Sequence, residues 1–449
     1  MGVEETAIDA LEVKINPGAN SVNVRNIFID GLRRTKNEII TNQLKPLFNA
    51  KTFEELKNVA NSCDLKLARL GVFKNSVYWV DNSSDGKEED VDVCFKVDEY
   101  LGIPWLPFLS TAGVGVEASP DGTDGSGKLY AELVNFWSGL GEKMKFSMSR
   151  GTSTKSSYDF TYRKPWVENS DCVFTLNMLR SLTEFPASFY KETANGGDAN
   201  LSLPGTLGVY TLGWNLRWRE NTIGPHAPFD IREQCGHSLK SSLCHTFVSD
   251  TRTEWIYPKR GLYYRHMLEY SGVGGDVNTL KGEMKLQLNK ELFTDCIISA
   301  SVRGSVVHSL SDSPLLINER TFLGGPNSIR GFALHGIGQH AGDASLGGEV
   351  AWEAGMHLFT PLPFIRNKLS FANNFRMHFF GNAGNLVESL DSISSWRDVM
   401  EKPRVSFGMG LVCRFGNNKL ELNYCVPMNV RPGDITSPGL RVGFGLDFL

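Results

Sequence analysis

Nucleophilic catalysis needs a nucleophile, a base and a group that orients the base. The sequence contains no GxSxG segment, and its nine His stand in no triad context, so no enzyme is expected. The closest approach to metal-ligand spacing is Cys235-Gly236-His237 with Cys244-His245. No paired CxxC supports it, and thiols and imidazoles on strand ends and loops account for these residues, so no metal is expected. Neither a Walker A nor a dinucleotide fingerprint occurs, and no cofactor is expected. What remains is an arginine. Arg330 lies in Leu323-Gly324-Gly325-Pro326-Asn327-Ser328-Ile329-Arg330-Gly331-Phe332, inside a connection running from about Ser309 to Ser345. Loops longer than roughly 12–15 residues are usually functional or disordered. A guanidinium can grip a carboxylate through two parallel hydrogen bonds. The following segment offers Glu349 and Glu353, which share one strand face with Ala351 by the two-residue period.

The elements that hold this loop follow from composition and periodicity. Acidic and basic side chains nearly balance, 50 against 46, so there is no basic footprint for nucleic acid. Mean hydropathy is −0.21, and no run of about 18 apolar residues occurs, which excludes a spanning helix. A spanning barrel stays open, because its strands alternate. Frequent Gly (45 residues) and 11% aromatics suit a turn-rich β protein, though a soluble sandwich or propeller would share them. Eight scattered Cys in so long a chain do not make a disulfide framework. The first residues lack an apolar h-region, and Glu4, Glu5, Asp9 and Glu12 oppose a basic transit peptide, so targeting information is expected inside the chain.

Residues 1–20 are expected to be a flexible N-terminal segment. Over 21–100 the pattern reads strand, helix, helix, strand, strand. Val22, Val24, Ile27 and Ile29 lead to a turn at Gly31. Thr35-Lys36-Asn37-Glu38 and Thr52-Phe53-Glu54-Glu55 both spell capping boxes. Apolar stripes at helical spacing follow each, and Gly71 stops the second helix. Val77–Val80 and Val91–Val97 are the last two strands, with a charged hairpin loop from Asn82 to Asp90. This βααββ order, with Phe73 just after the Leu-Gly stop, resembles a polypeptide-transport-associated (POTRA) domain. Pro104, Trp105 and Pro107 form a stiff link to the rest.

From about 109 to 449 the period is two. Thr211, Gly213, Asn215 and Arg217 alternate with Leu212, Trp214, Leu216 and Trp218; Lys419, Glu421 and Asn423 alternate with Leu420, Leu422 and Tyr424. Lys143–Ser149, Glu283–Asn289 and Lys368–Phe379 repeat the pattern. One wet and one apolar face per strand fits either a soluble β core or a membrane barrel. The many evenly spaced strands and their strongly polar opposite faces favour the barrel, with about sixteen strands of the roughly 9–11 residues a tilted crossing needs. The expected class is therefore a membrane all-β protein: a 16-stranded antiparallel transmembrane barrel over 109–449, its connection 309–345 folded into the lumen, preceded by one small α+β POTRA domain.

The segment Ile329-Arg330-Gly331-Phe332 closely resembles the (V/I)RG(F/Y) loop of the barrel-insertase superfamily (the bacterial surface antigen family), which includes bacterial BamA and the mitochondrial sorting and assembly machinery. Leu346-Gly347-Gly348-Glu349, Leu358–Phe364 and His378–Asn385 resemble the strands that follow the loop in that family. The resemblance implies that the loop folds into the lumen and that its Arg docks on a carboxylate of the wall, for which Glu349 is the first candidate and Glu353 the second. Many bacterial members have Asp where this chain has Asn382, so the carboxylate must come from elsewhere. Arg441-Val442-Gly443-Phe444-Gly445-Leu446-Asp447-Phe448 fits the mitochondrial β-signal, with Gly443 facing the lumen and Leu446 and Phe448 facing lipid.

One POTRA-like domain, no secretory signal and free thiols point to the mitochondrial branch, the core barrel subunits of the sorting and assembly machinery. That resemblance implies an outer-membrane protein that folds and inserts β-barrel precursors. Its expected partners are those precursors, peripheral metaxin-like subunits, cristae-organising (MICOS) proteins and lipid. A translocating channel of the same superfamily and, less well, a passive pore are the alternatives. Gly113 and Gly115 in the first barrel strand and Gly443 in the last would weaken the seam between them, which marks Gly113, Val114, Gly115, Arg441, Gly443, Leu446 and Phe448 as a candidate lateral gate. Close packing against the internal loop would explain the same glycines.

Overall fold

The structure, a computed structural model, describes residues 21–83, 90–100, 109–118, 125–151, 154–254, 256–293, 295–311, 314–362, 374–415 and 418–445. The segment 1–20, most of the loop between Asn82 and Asp90, the Pro104–Pro107 link, Leu446 and Phe448 lie outside these residues. Two compact units result. The first spans Met1–Leu101 with Val134–Glu142 and Pro165–Ser170, and the second holds the remainder.

In the first unit, strand β1 (Asn23–Asp30), helices α1 (Asn37–Leu44) and α2 (Phe53–Leu70), and strands β2 (Phe73–Asn82) and β3 (Asp90–Glu99) follow the expected order. Strand β3 is central, parallel to β1 and antiparallel to β2. A register shift between Val24 and Asn26 explains why the apolar positions change from even (22, 24) to odd (27, 29) within one strand. Ile39, Ile40 and Leu44 of α1 and Leu56, Leu67 and Leu70 of α2 bury against Val93 and Phe95.

The second helix starts as its sequence predicts. Thr52 Oγ1 accepts from the Glu55 amide at 3.2 Å, and Gly71 closes the helix at φ 61°. The first capping box does not form. Lys36 occupies the N-cap position without a side-chain bond, because Thr35 is engaged elsewhere. Its amide donates to Glu99 Oε1 at 2.9 Å, and its hydroxyl receives Asn135 Nδ2 at 2.6 Å. Asn135 belongs to the segment Val134–Glu142, whose Glu142 accepts from the amides of Trp137 (2.8 Å), Gly139 (3.1 Å) and Leu140 (2.9 Å) and from the Ser138 hydroxyl (2.8 Å). That carboxylate organises a turn the sequence pattern left unread.

In the second unit sixteen strands form one antiparallel sheet in sequence order. They are β4 (Leu109–Ala118), β5 (Gly125–Val134), β6 (Lys143–Arg150), β7 (Thr154–Pro165), β8 (Val173–Phe185), β9 (Tyr190–Pro204), β10 (Val209–Ile223), β11 (Gly236–Asp250), β12 (Arg260–Ser271), β13 (Thr279–Phe293) and β14 (Cys296–Ser309), then β17 (Val350–Pro361), β18 (Phe375–Val387), β19 (Arg404–Phe415), β20 (Asn418–Met428) and β21 (Gly439–Gly445). The connection from β14 to β17 carries a short hairpin, β15 (His340–Ala341) with β16 (Ala344–Ser345). Two short helices, α3 (Phe229–Arg232) and α4 (Trp396–Met400), cap connections. No helix among the described residues is long and apolar enough to cross a membrane. Crossing falls to the strands, whose faces follow the predicted parity. On β20, Leu420, Leu422 and Tyr424 point outward while Lys419, Glu421 and Asn423 are buried within.

The carboxylates of the first unit set its acid sensitivity. Burial opposes ionisation of Glu99 and of Glu142, but the hydrogen bonds from Thr35 and Arg34, and from Ser138 and Trp137, outweigh it and hold both below the ordinary value of 4.5. Their folded-state pKa values are depressed, so the stability they supply is complete above the unfolded value and disappears as pH falls through the folded one. Proteolysis of this unit should accelerate below about pH 4, where unperturbed Glu begins to protonate. Glu142→Gln should cost about 1–3 kcal/mol, the price of an unmet buried donor, and flatten that pH profile. An unchanged profile in both Glu99→Gln and Glu142→Gln would contradict the assignment.

Candidate functional site

The connection from β14 to β17 lies within the second unit and is tied down along its length. At its start, a 3₁₀ turn at Ile317–Glu319 places Glu319 between Arg219 of β10 and Lys240 of β11, the latter at 2.7 Å. Lys240 also pairs with Glu269 of β12 at 3.0 Å. Asn318 bonds Asn221 at 2.8 Å and also Glu192. Gln234 Oε1 accepts the Ile317 amide at 2.6 Å. This acidic anchor was not read from the sequence, where Asn318-Glu319-Arg320 is merely a polar stretch without periodicity.

Further on, the loop turns back on itself through bridges Leu323↔Ile337 and Thr321↔Gly348. Leu323, Ile329, Phe332 and Ile337 pack with Ala351 of β17 and Leu386 of β18 into an apolar knot. Ile329 is fully buried, and its Cδ1 comes so close to Gly384 that a Cβ there would stand 2.6 Å from it. Gly331 holds φ +83°, which only glycine adopts at no steric cost, and this turns Arg330 to one side and Phe332 to the other.

Arg330 is 2% exposed and reaches Glu421 of β20: Nη2 donates to Oε2 at 3.0 Å and Nε to the same oxygen at 3.3 Å. Nη1 donates to Asn382 Oδ1 at 3.3 Å, and the guanidinium lies 5.0 Å from the centre of the Phe380 ring. The sequence-based pairing with Glu349 or Glu353 is thus corrected to Glu421. Glu349 sits just before β17, and its carboxylate caps the next turn at the Leu390 amide, 2.8 Å away. Glu353 does face inward, but it accepts from Ser328 Oγ and faces Arg303 at 3.5 Å. Parity says which face a residue occupies and not which strand of the wall a loop will meet. Glu421 stood on the polar face of Lys419, Glu421 and Asn423 all along. Asn382, where a carboxylate had been discounted, still serves as a neutral acceptor.

A buried polar chain positions Glu421. Asn423 Nδ2 donates to Glu421 Oε2 at 2.8 Å, which leaves Asn423 Oδ1 to accept from His378 Nδ1 at 3.1 Å. His378 Nε2 then accepts from His357 Nδ1 at 2.9 Å. The imidazoles are stacked, centroids 5.2 Å apart.

Of the candidate gate residues, Gly113, Val114 and Gly115 lie on β4 and Arg441 and Gly443 on β21, the two end strands of the sheet. Among the described residues no ladder joins β4 to β21, although the two come within 8 Å, Cα to Cα. Val114 and Val442 face outward, 79% and 59% exposed. Gly113 lies under Tyr130 of β5, whose hydroxyl would be 2.7 Å from an added Cβ, while Gly115 has nothing near it. Close packing on the internal loop therefore does not explain this pair. Gly443 is buried on the inner side, as its parity predicts, and Arg441 donates to the Ser437 carbonyl at 3.0 Å. Among the described residues no group of His, Cys, Asp and Glu could hold a metal.

A sixteen-stranded antiparallel sheet with an apolar outer face, a polar interior and a docked inner loop defines an outer-membrane-type β-barrel. A family model described as the Omp85 superfamily domain matches residues 136–448. The chain belongs to the Omp85 superfamily. It is 38% identical to a sorting and assembly machinery component 50 homolog of Xenopus tropicalis over 95% of this chain and 90% of that protein. A homolog of the same description from Homo sapiens matches at 38% over the same shares. Among solved structures, BamA from Haemophilus ducreyi lacking POTRA domains 1–3 shares the fold with a TM-score of 0.74 at 18% identity, over 94% of this chain and 84% of that one.

Breaking a buried ion pair strands a charge and costs about 3–5 kcal/mol, whereas replacing both partners by apolar groups costs far less. Arg330→Ala and Glu421→Ala should each lower the unfolding temperature of the detergent-solubilised barrel on heat-modifiable gels. The double substitution Arg330→Ala with Glu421→Ala should lose less than the sum of the two singles, and Arg330→Met with Glu421→Leu less still. Strict additivity would show that the two groups are not coupled.

Proposed function

We propose that this protein folds β-barrel precursors and inserts them through a lateral gate between β4 and β21. It is a mitochondrial outer-membrane β-barrel insertase of the Omp85 superfamily. The observation that carries the gate is that, among the described residues, no ladder joins the end strands. In hydrocarbon each unsatisfied N–H or C=O costs several kcal/mol. An incoming strand that offers its own edge satisfies those groups by β-augmentation. A precursor's C-terminal signal, of the type spelled by Arg441–Phe448, would pair with β4 in place of β21 and exchange one ladder for another at little net cost. No bond is made or broken covalently, so the activity is a binding and folding activity and not an enzymatic one. The small α+β unit is a POTRA domain facing the intermembrane space, where precursors arrive. Metaxin-like subunits and cristae-organising proteins are its expected partners through membership of the same machinery.

The gate is tested by locking it. In a background cleared of the eight native Cys, Val114→Cys is paired with Val442→Cys and neighbouring positions on the same face, since Cα atoms of paired strands lie within disulfide reach. Oxidation should stall assembly of a labelled precursor in mitochondria that carry only this variant, and reduction should restore it. Normal assembly by a confirmed cross-linked barrel would refute the gate.

Topology is tested separately. A tag near Asn82 should survive protease in intact mitochondria and be digested once the outer membrane is ruptured. Digestion in intact mitochondria would place the domain on the other side.

A further inference from the structure

The connection between β20 and β21, residues 429–438, is bonded to the inner loop as though it were a short strand. Ile435 N donates to the Gly336 carbonyl at 2.7 Å, Ala333 N to the Ile435 carbonyl at 2.9 Å, and Ser437 N to the Gly331 carbonyl at 2.8 Å. Phe332 and Thr436 form the bridge of this strip. It ends only two residues before β21 begins, and it starts one residue after Arg330.

One carboxylate holds the strip in place. The Asp434 side chain is fully buried and meets four donors on three separate parts of the chain. Oδ1 accepts from Arg404 Nη2 at 2.8 Å and from the Gly338 amide of the inner loop at 3.1 Å. Oδ2 accepts from Arg404 Nε at 2.9 Å and from the Arg431 amide at 2.8 Å. Arg404, at the start of β19, also donates to Asn385 of β18. The fork-on-carboxylate geometry is the strong, orienting form of the charge-assisted bond. The outcome is a rigid chain of contacts from the wall (β18, β19) through Asp434 to both the inner loop and the residues that feed the last strand.

We propose that Asp434 is a positioning residue that yokes β21 to the inner loop, so that the last strand leaves or returns to β4 only together with the loop that Arg330 docks on the wall. This rests on the lateral-gate reading. If β21 moved alone, it would pull on the backbone bonds Ile435–Gly336, Ala333–Ile435 and Ser437–Gly331 and on the Asp434 side chain that anchors them. With the yoke intact, the docking of Arg330 on Glu421 and the resting position of β21 are one equilibrium and not two.

The test uses the full-length protein in mitochondria and reads the seam directly. In the parent, the Val114→Cys, Val442→Cys pair, or the neighbouring pair that cross-links best, is oxidised under mild conditions and its rate recorded. Asp434→Ala should slow that rate several-fold, because an untethered β21 spends less time in register with β4. Asp434→Asn keeps an acceptor oxygen but loses the charge, and should fall between. Precursor assembly should slow in the same order. A disulfide from Ala333→Cys to Ile435→Cys, the pair next to the bridge, should restore both rates in the Asp434→Ala background, which a loss of general stability would not allow. Unchanged seam rates in folded Asp434→Ala and Asp434→Asn proteins would overturn the yoke, as would a staple that forms without restoring them. If Asp434→Ala does not fold, the Asn variant with and without the staple decides in the same way. The gate reading fails on a different result, a locked parent seam that leaves precursor assembly at its normal rate.

Discussion

Hydrocarbon offers a backbone amide no partner, and this constraint shapes the second unit from end to end. A spanning strand must give its N–H and C=O groups to neighbours, and the sixteen strands pair side by side in sequence order from β4 to β21. The constraint leaves one place where it is met least well, the junction of the two end strands. There the strands approach without a ladder among the described residues. The unit's outward face is ordinary for lipid, with Leu, Val, Trp and Tyr in alternation. The departure from ordinary barrel construction is all on the inside and at that one junction.

Inside, charge replaces the hydrophobic core. Glu319 sits between Arg219 and Lys240 on one stretch of wall, Glu421 under Arg330 on another, and Asp434 beneath Arg404 on a third. Buried pairs of this kind add little net stability over well-packed apolar groups, because desolvation consumes most of the attraction. What they supply is register. A loop held only by Ile329, Phe332 and their apolar neighbours could slide, since hydrophobic contact has no direction. Three carboxylates, each with directional donors, leave it a single seating. Stability thus comes mainly from the ladder, and uniqueness comes from the lumen.

Much of this was legible in the residues. On β10 and β20 the observed faces are those the alternation predicts, because lipid on one side and polar groups on the other impose a period of two. The βααββ order was readable from Thr52, Gly71 and the apolar stripes, which are local signals. The failures have a common cause. Thr35 looks like a helix cap, yet Glu99 and Asn135, which are 64 and 100 positions away, claim it first. Arg330 was identifiable from its neighbours, but its partner depended on which strand the folded-back loop would meet, a matter of three-dimensional curvature that parity does not encode. Glu319 and Asp434 sit in aperiodic polar stretches, where nothing local separates a solvated carboxylate from one that organises a site. The register shift at Val24 shows the opposite case, in which a change of parity visible in the sequence has a single backbone cause.

The distance along the chain between Arg330 and Glu421 has a bearing on how this molecule itself comes to be built. The pair closes a separation of 91 residues, and Arg219 reaches Glu319 across 100. Strands β17 to β19 lie between the arginine and its carboxylate on β20. Once the sheet has curled round, the loop reaches both Arg219 and Glu421 only from inside it. Seating the loop on β10 and β11 first, with the later strands wrapped over it as sheet metal is bent over a mandrel, makes both contacts without threading. Closing so long a contour adds little entropy cost beyond that of a shorter loop, but it imposes an order. A chain that curls before its loop is inside has no short way back.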